Sequence, residues 1–152
     1  KGKLVTSTYT LKINLARYLN KFRLVSDSVD ILDASIINLA FRYGITIEKG
    51  YRQEIVVSAV NSSLKSYFET KKTQINKPIV ISELNNLIIN TPGVVSLLYL
   101  VATNRTGVFE ERSYSDYHFH VKANTDRGMI FPPAGGMFEV KFPDDDIIGK
   151  VV

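Results

Sequence analysis

The sequence predicts an α+β fold: a strand–helix–helix–strand core with a small mixed sheet, continued by an extended Gly/Pro-rich C-terminal β segment. Three patterns carry this prediction. From 37 to 47 every odd residue is apolar (Ile37, Leu39, Phe41, Tyr43, Ile45, Ile47) and the residues between are polar or small. That is the period of a long strand with one face in a core and one facing water. Residues 51–70 place Ile55, Val56, Ala59, Val60, Leu64, Tyr67 and Phe68 on one helical stripe. Residues 94–103 are apolar at both alternating positions, which predicts a strand covered on both sides.

The remaining elements follow in chain order. Leu11, Leu15, Tyr18, Leu19 and Phe22 have helical spacing, yet Tyr9, Leu11, Ile13 and Leu15 also alternate, so a strand leading into a helix is expected. Ser26-Asp27-Ser28 reads as a turn or cap cluster. Lys49-Gly50 turns the chain between the long strand and the first core helix, at whose end Lys71 and Lys72 suit the helix dipole. Pro78 closes a polar linker, and Ser82 is the expected N-cap of a short helix over 83–90 that buries Leu84, Leu87 and Ile88. Pro92-Gly93 stops that helix. Beyond a turn-rich stretch at 104–107, a strand is expected over 116–122. Gly128, Pro132, Pro133, Gly135, Gly136 and Pro143 then set short extended pieces joined by fixed turns.

This organisation divides the chain into a strand/helix lead-in at 1–33, an α+β core at 34–104 and a β-rich extension at 105–152. The chain begins Lys-Gly-Lys rather than with Met, and no signal-like apolar region follows. The expectation is one compact fragment of a longer polypeptide. Residues 94–102 form the longest apolar stretch, about half of a membrane span, so no membrane partner is expected.

Composition narrows the chemistry. With 152 residues and 45% hydrophobic side chains the chain can build a real core. Zero Cys excludes disulfides, thiolate zinc sites, iron–sulfur clusters and a Cys nucleophile, and two His leave little room for a His-based triad. Net charge is +4, but residues 1–72 hold 12 Lys+Arg against 6 Asp+Glu, while residues 73–152 hold 7 against 9. The basic residues Lys1, Lys3, Lys12, Arg17, Lys21, Arg23, Arg42, Lys49 and Arg52 are scattered singly, the pattern of a solvated surface. Two alternatives remain open: a basic half of one copy meeting the acidic half of another, and a basic nucleic-acid-binding module using the N-terminal half.

Each candidate constellation has a plainer explanation. Asp116, His118 and His120 share one face of the expected strand and could hold a metal, yet polar residues are what its wet face should carry opposite Tyr117, Phe119 and Val121. Asp144-Asp145-Asp146 reads as a solvated acidic turn, since adjacent acids diverge and no cation-loop spacing surrounds them. Gly135-Gly136 lacks the strand-and-helix context of a phosphate loop. Glu110 and Glu111 are adjacent and diverge, and Ser82 has no local His and suits a cap. No catalytic residue, cofactor site or metal site is assigned. A binding surface has better support: Phe131-Pro132-Pro133 and Met137-Phe138 lie in a rigid segment, and Tyr114 and Tyr117 add aromatic surface. The alternative is that Phe131 and Phe138 fold back onto the sheet.

The ordered motifs resemble a known family. The helix at 51–70, then Ile75-Asn76-Lys77-Pro78-Ile79, Ser82-Glu83-Leu84 and Thr91-Pro92-Gly93-Val94-Val95, resembles the baseplate J-like proteins of contractile-tailed bacteriophages. Tyr114-Ser115, Gly128-Met129-Ile130-Phe131-Pro132-Pro133 and Phe138-Glu139-Val140-Lys141-Phe142-Pro143, followed by Asp146-Ile147 and Gly149, are similar to the C-terminal part of the baseplate wedge subunit of T-even-type phages. The resemblance spans about Tyr9 to Gly149 and implies a structural part. Such subunits join neighbouring wedges into a ring around the central hub, which rearranges when the tail contracts. It further implies no catalytic residues, partners that are other copies of the chain (as homodimer contacts) and other wedge proteins, and a place in the virion tail after assembly in the host bacterial cytoplasm.

Overall fold

In the computed structural model, which describes residues 3–22, 29–69 and 73–152, the strand β1 (Ser35–Ile47) runs through the middle of the main sheet. The strand β3 (Val94–Arg105) pairs with it antiparallel on one side, from Asn38 opposite Arg105 to Ile47 opposite Val94. On the other side two short strands pair with it in parallel, end to end: β8 (Gly136–Glu139) along residues 35–38 and β9 (Ile147–Val151) along residues 41–45. The sheet is therefore mixed, as expected, and residues after 105 complete it.

Two helices, α2 (Gln53–Tyr67) and α3 (Ile81–Ile89), cover one face of this sheet. That face carries the odd residues of β1, and Ile37, Leu39, Phe41, Tyr43 and Ile45 are all buried against Val56, Val60 and Leu64 of α2 and Leu84 and Ile88 of α3. Each such side chain removed from water contributes about 1.5–3 kcal/mol of apolar burial. Phe41 stacks on Phe68 with ring centroids 4.8 Å apart. The Tyr43 hydroxyl donates to Asn61 Oδ1 at 2.7 Å, which fixes the turn of α2 that lies over the strand.

Smaller elements finish the chain. A two-residue strand β2 (Ile79–Val80) joins β7 (Met129–Ile130) and β6 (Thr125–Asp126), and a hairpin is made by β4 (Val108–Phe109) and β5 (Arg112–Ser113). One helical turn, α4 (Pro143–Asp146), leads into β9.

The structure departs from the sequence expectations at several places. No strand precedes the first helix: α1 (Tyr9–Asn20) is helical from its start, capped by Thr8, whose Oγ1 accepts from the Leu11 N–H at 3.4 Å. The alternating residues find no sheet edge there, and a helix satisfies its own backbone groups. The second face of β1 is not simply wet, because Asn38, Ala40 and Gly44 are buried and Arg42 alone between Ile37 and Ile45 is exposed. β3 is not covered on both sides; Val95, Leu98, Tyr99 and Val101 are exposed. The expected strand at 116–122 is extended chain without ladder partners, ending in a 3-10 turn at Lys122–Asn124; the Phe119 N–H donates instead to the Asn104 side chain of β3 at 2.9 Å. Ser82 lies inside the first turn of α3 and Val80 is the cap, because β2 runs directly into the helix. Leu87 is only half-buried. The Ser26-Asp27-Ser28 cluster and Lys71 and Lys72 lie outside the described residues.

Candidate functional site

The segment expected to form an interaction surface is held by backbone chemistry. Residues 133–136 form a turn closed by Gly136 N–H donating to Pro133 C=O at 2.8 Å, with Gly135 at φ 75° in the third position, where a turn of this kind needs a left-handed residue. Asn76 clamps the turn from outside: its Oδ1 accepts from Gly135 N–H at 2.8 Å, and its own N–H donates to Gly136 C=O at 2.8 Å. Phe131, whose N–H donates to Asn124 C=O at 2.9 Å, is thus displayed on a pinned loop and is 40% exposed. Pro132, Pro133 and Met137 are half-buried beside it, and Tyr117 is exposed on the unpaired segment that follows the hairpin.

Two residues expected on that surface lie elsewhere. Phe138 sits opposite Ile37 in the β1–β8 register and packs edge-on against Phe119 at 5.3 Å, so it belongs to the core. Tyr114 is 5% exposed, its ring edge-on to Phe142 at 5.3 Å and its hydroxyl donating to Asp146 Oδ1 at 2.7 Å. Both turn inward because Phe119 and Phe142 each offer them an aromatic neighbour.

Asp146 also corrects the reading of a solvated acidic turn. It is 2% exposed, and its second oxygen accepts from Phe142 N–H at 3.0 Å, closing α4. Burial raises its carboxyl above the usual carboxylate range, against the opposing pull of the Tyr114 hydroxyl, the Phe142 N–H and the charge of Arg105. Arg105 Nε stands 3.9 Å from Asp146 Oδ1 without a hydrogen bond of its own, while its guanidinium lies 4.1 Å over the Phe109 ring. Asp144 and Asp145 do behave as surface acids, paired with Lys65 at 2.8 Å and Arg112 at 2.7 Å.

A second buried polar cluster went unread in the sequence. Glu139 is 4% exposed and accepts from Asn38 Nδ2 at 2.9 Å and from Leu4 N–H at 2.7 Å, while Asn38 Oδ1 accepts from Ser115 N–H at 2.7 Å. These bonds tie the N-terminal residues, β1, β8 and the post-hairpin chain together. Glu139 stands among apolar residues in the sequence, which is the one local signal of an internal carboxylate.

Asp116, His118 and His120 are exposed along an extended segment, and among the described residues no group of three or more His, Asp or Glu is placed to hold a metal ion. Glu110 and Glu111 form the tip of the β4–β5 hairpin with φ of 48° and 62°, their side chains exposed. A cleft of about 540 Å³ between α2 and α3 is lined by Ala59, Ser63, Tyr67, Glu83 and Leu87. Within it Tyr67 donates to Glu83 at 2.7 Å, and burial with that bond pushes the Tyr67 hydroxyl up to about 12. No helix among the described residues is long and apolar enough to cross a membrane.

What the surface does offer is apolar area. α1 buries none of its residues, so its stripe of Leu11, Leu15, Tyr18, Leu19 and Phe22 is exposed, and β3 adds Val95, Leu98, Tyr99 and Val101. Exposed apolar groups gathered on one element mark contact surfaces rather than catalytic clefts.

Comparison with known proteins agrees with that character. Residues 37–106, from the middle strand of the sheet through β3, match the family model of the Baseplate J-like protein C-terminal domain. A search among curated proteins returns no match. The matched segment contains β1, α2, β2, α3 and β3, the strand–helix–helix–strand unit itself. The strand–helix–helix–strand unit at residues 37–106 is therefore similar to a Baseplate J-like protein C-terminal domain, a likeness that supports a structural role in a phage baseplate.

Proposed function

We propose that the chain is the C-terminal part of a baseplate wedge subunit that joins neighbouring wedges into the ring around the hub and takes part in the rearrangement of that ring on tail contraction. It performs no catalysis in this role. The observation that carries the reading is the pairing of a baseplate J-like core with apolar side chains presented on rigid elements, above all Phe131 on the turn clamped by Asn76. A pinned aromatic docks with little loss of conformational freedom, which is what a repeated subunit contact requires. The proposed partners are other copies of the chain and other wedge proteins, assembled in the host bacterial cytoplasm and carried in the virion. Modest contacts suffice, because ring closure multiplies them.

Sedimentation velocity at rising protein concentration tests the self-contacts. Reversible association weakened by Phe131→Ala is expected; a strict monomer at every concentration, with Phe131→Ala indistinguishable from it, refutes them. The nucleic-acid reading has less support, since Lys12 and Lys65 are already engaged by Asp33 and Asp144. It requires salt-sensitive binding to DNA, which is expected to be absent even at low salt.

A further inference from the structure

β3 is a long sheet edge with neither charge nor Pro to guard it between 94 and 104. β1 occupies one side of it, and among the described residues no backbone group of residues 95–102 bonds to anything but β1. Edge strands in soluble proteins are normally short, or carry charges, Pro or bulges that discourage pairing. The opposite edge of the sheet fits that pattern: β8 has four residues, and β9 has five with Lys150 exposed. β3 has 12 residues, and between 94 and 104 it holds no charged residue and no Pro. Its register irregularities lie opposite Gly44–Ile45 and Thr46–Ile47, so pairing is regular from Tyr99 onward.

The surroundings of the edge are apolar and open. A cleft of about 400 Å³ touches it, lined by the core residues Phe41, Leu84 and Ile130 together with Leu100, Val101, Ala102, Val121 and Lys122. Consecutive strand residues point to opposite faces, so a cleft touching all of 100–102 reaches from the core face to the strand's edge. On the outer face the Tyr99 ring lies over Gly44 of β1, where a Cβ would collide with it.

We propose that β3 pairs antiparallel with β3 of a second copy of this chain, extending the sheet across a two-fold axis near Leu100. The charge pattern selects this occupant. On a chain of net charge +4, residues 94–104 are a strip without charge, so the two paired strands themselves oppose no like charges. Arg105, at the strand's end, is carried away from its counterpart by the antiparallel arrangement. A two-fold near Leu100 sets Tyr99 of one protomer across from Val101 of its partner, an aromatic–β-branched pair of the kind that stabilises sheets. One isologous contact satisfies both free edges together. This inference rests on the self-contact reading above and assigns it a surface.

The absence of Cys from the chain makes the test direct. Directly opposed residues of an antiparallel pair lie about 4.5–5.5 Å apart between Cα atoms, within disulfide reach. Single substitutions Leu98→Cys, Tyr99→Cys, Leu100→Cys, Val101→Cys and Ala102→Cys are oxidised under mild conditions at a concentration where the chain associates. The expected result is a covalent dimer maximal at one position of 99–101 and falling on both sides of it. In sedimentation, Val101→Lys is expected to weaken association by about tenfold or more, as a charge guards an edge, with circular dichroism confirming the fold. If the chain associates but no position cross-links and Val101→Lys still associates normally, β3 pairing is wrong and the self-contact reading survives. If the wild-type chain stays monomeric at all concentrations, both fall.

Discussion

The Tyr114 hydroxyl donates to Asp146 Oδ1 at 2.7 Å, and both residues are almost wholly buried, so a carboxylate inside the protein depends on one phenol for half of its hydrogen bonding. Removing that donor leaves the oxygen with only a 3.9 Å approach from Arg105. Tyr114→Phe keeps the ring contact with Phe142 and is expected to destabilise the fold by about 1–3 kcal/mol, the cost of an unsatisfied buried group. Urea unfolding followed by circular dichroism measures it; an unchanged midpoint would mean that water reaches the carboxylate.

The same carboxylate gives stability a pH dependence of defined sign. Its folded pKa is raised above 3.8, chiefly by burial, so the folded state holds the proton more tightly than the unfolded chain. The stability contributed by Asp146 is therefore fully present below the unfolded value and is lost as pH rises through the folded one. Asp33 works in the opposite direction: its hydrogen bonds with Lys12 and Ser7 lower its pKa, and its contribution is present above 3.8 and lost as pH falls. In urea titrations from about pH 3 upward, through the ordinary carboxylate range, Asp146→Asn is expected to remove the downward slope with rising pH and to leave the contribution of Asp33.

The hairpin tip stores strain that a substitution releases. Glu110 and Glu111 both adopt positive φ, a conformation for which hairpins usually use Asn-Gly. Left-handed backbone costs an L-residue about 1–2 kcal/mol, and Gly gives part of this back through the unfolded chain. Glu111→Gly is thus expected to raise stability by about 0.5–1 kcal/mol in thermal or urea unfolding. A loss instead would show that the glutamate side chain makes a stabilising contact.

Close packing between β9 and β1 predicts an intolerant glycine. Gly149 lies opposite Tyr43 in the parallel register, and a Cβ built on Gly149 collides with the Tyr43 ring and hydroxyl. The ring cannot retreat, being held by Asn61 on α2. Gly149→Ala is expected to cost about 1–3 kcal/mol through overpacking, readable as a lowered unfolding midpoint.

Helix α1 should respond quite differently from α2 although their sequences look alike in amphipathicity. Leu15→Ser, on a helix with no buried residue, is expected to change stability by less than about 0.5 kcal/mol. Leu64→Ala, at the fully buried heart of the α2 face, is expected to cost about 2–5 kcal/mol. Equal effects in urea unfolding would mean that α1 packs on the sheet in solution.

Much of the fold was legible because its signals are local. The odd-residue alternation of β1, the stripe of α2 and the Pro92-Gly93 stop each fit within one window of sequence, and the element types follow from backbone hydrogen bonding within or beside that window. The exposed Phe131 and its Gly/Pro-shaped loop were legible for the same reason, whereas Asn76, which clamps that loop, lies far away in the chain. Tyr114, Phe138, Glu139 and Asp146 could not be placed from their neighbours. A tyrosine or an aspartate suits a surface or an interior equally well until a partner from another element arrives, and burial is a property of the pair.

By itself, then, the sequence determined an α+β chain with a strand–helix–helix–strand unit of baseplate J-like type and with few side chains suited to catalysis. Tertiary structure alone decided that β8 and β9 complete the sheet beside β1, that two carboxylates go inside, and that β3, apolar on both faces, is left at an edge. The physical reason is the reach of the interactions. Periodicity records how a segment bonds and which face is apolar, but what covers that face depends on residues distant in the chain. At β3 no segment among the described residues supplies the cover, so an apolar strand that reads as interior becomes the surface on which a second copy can pair.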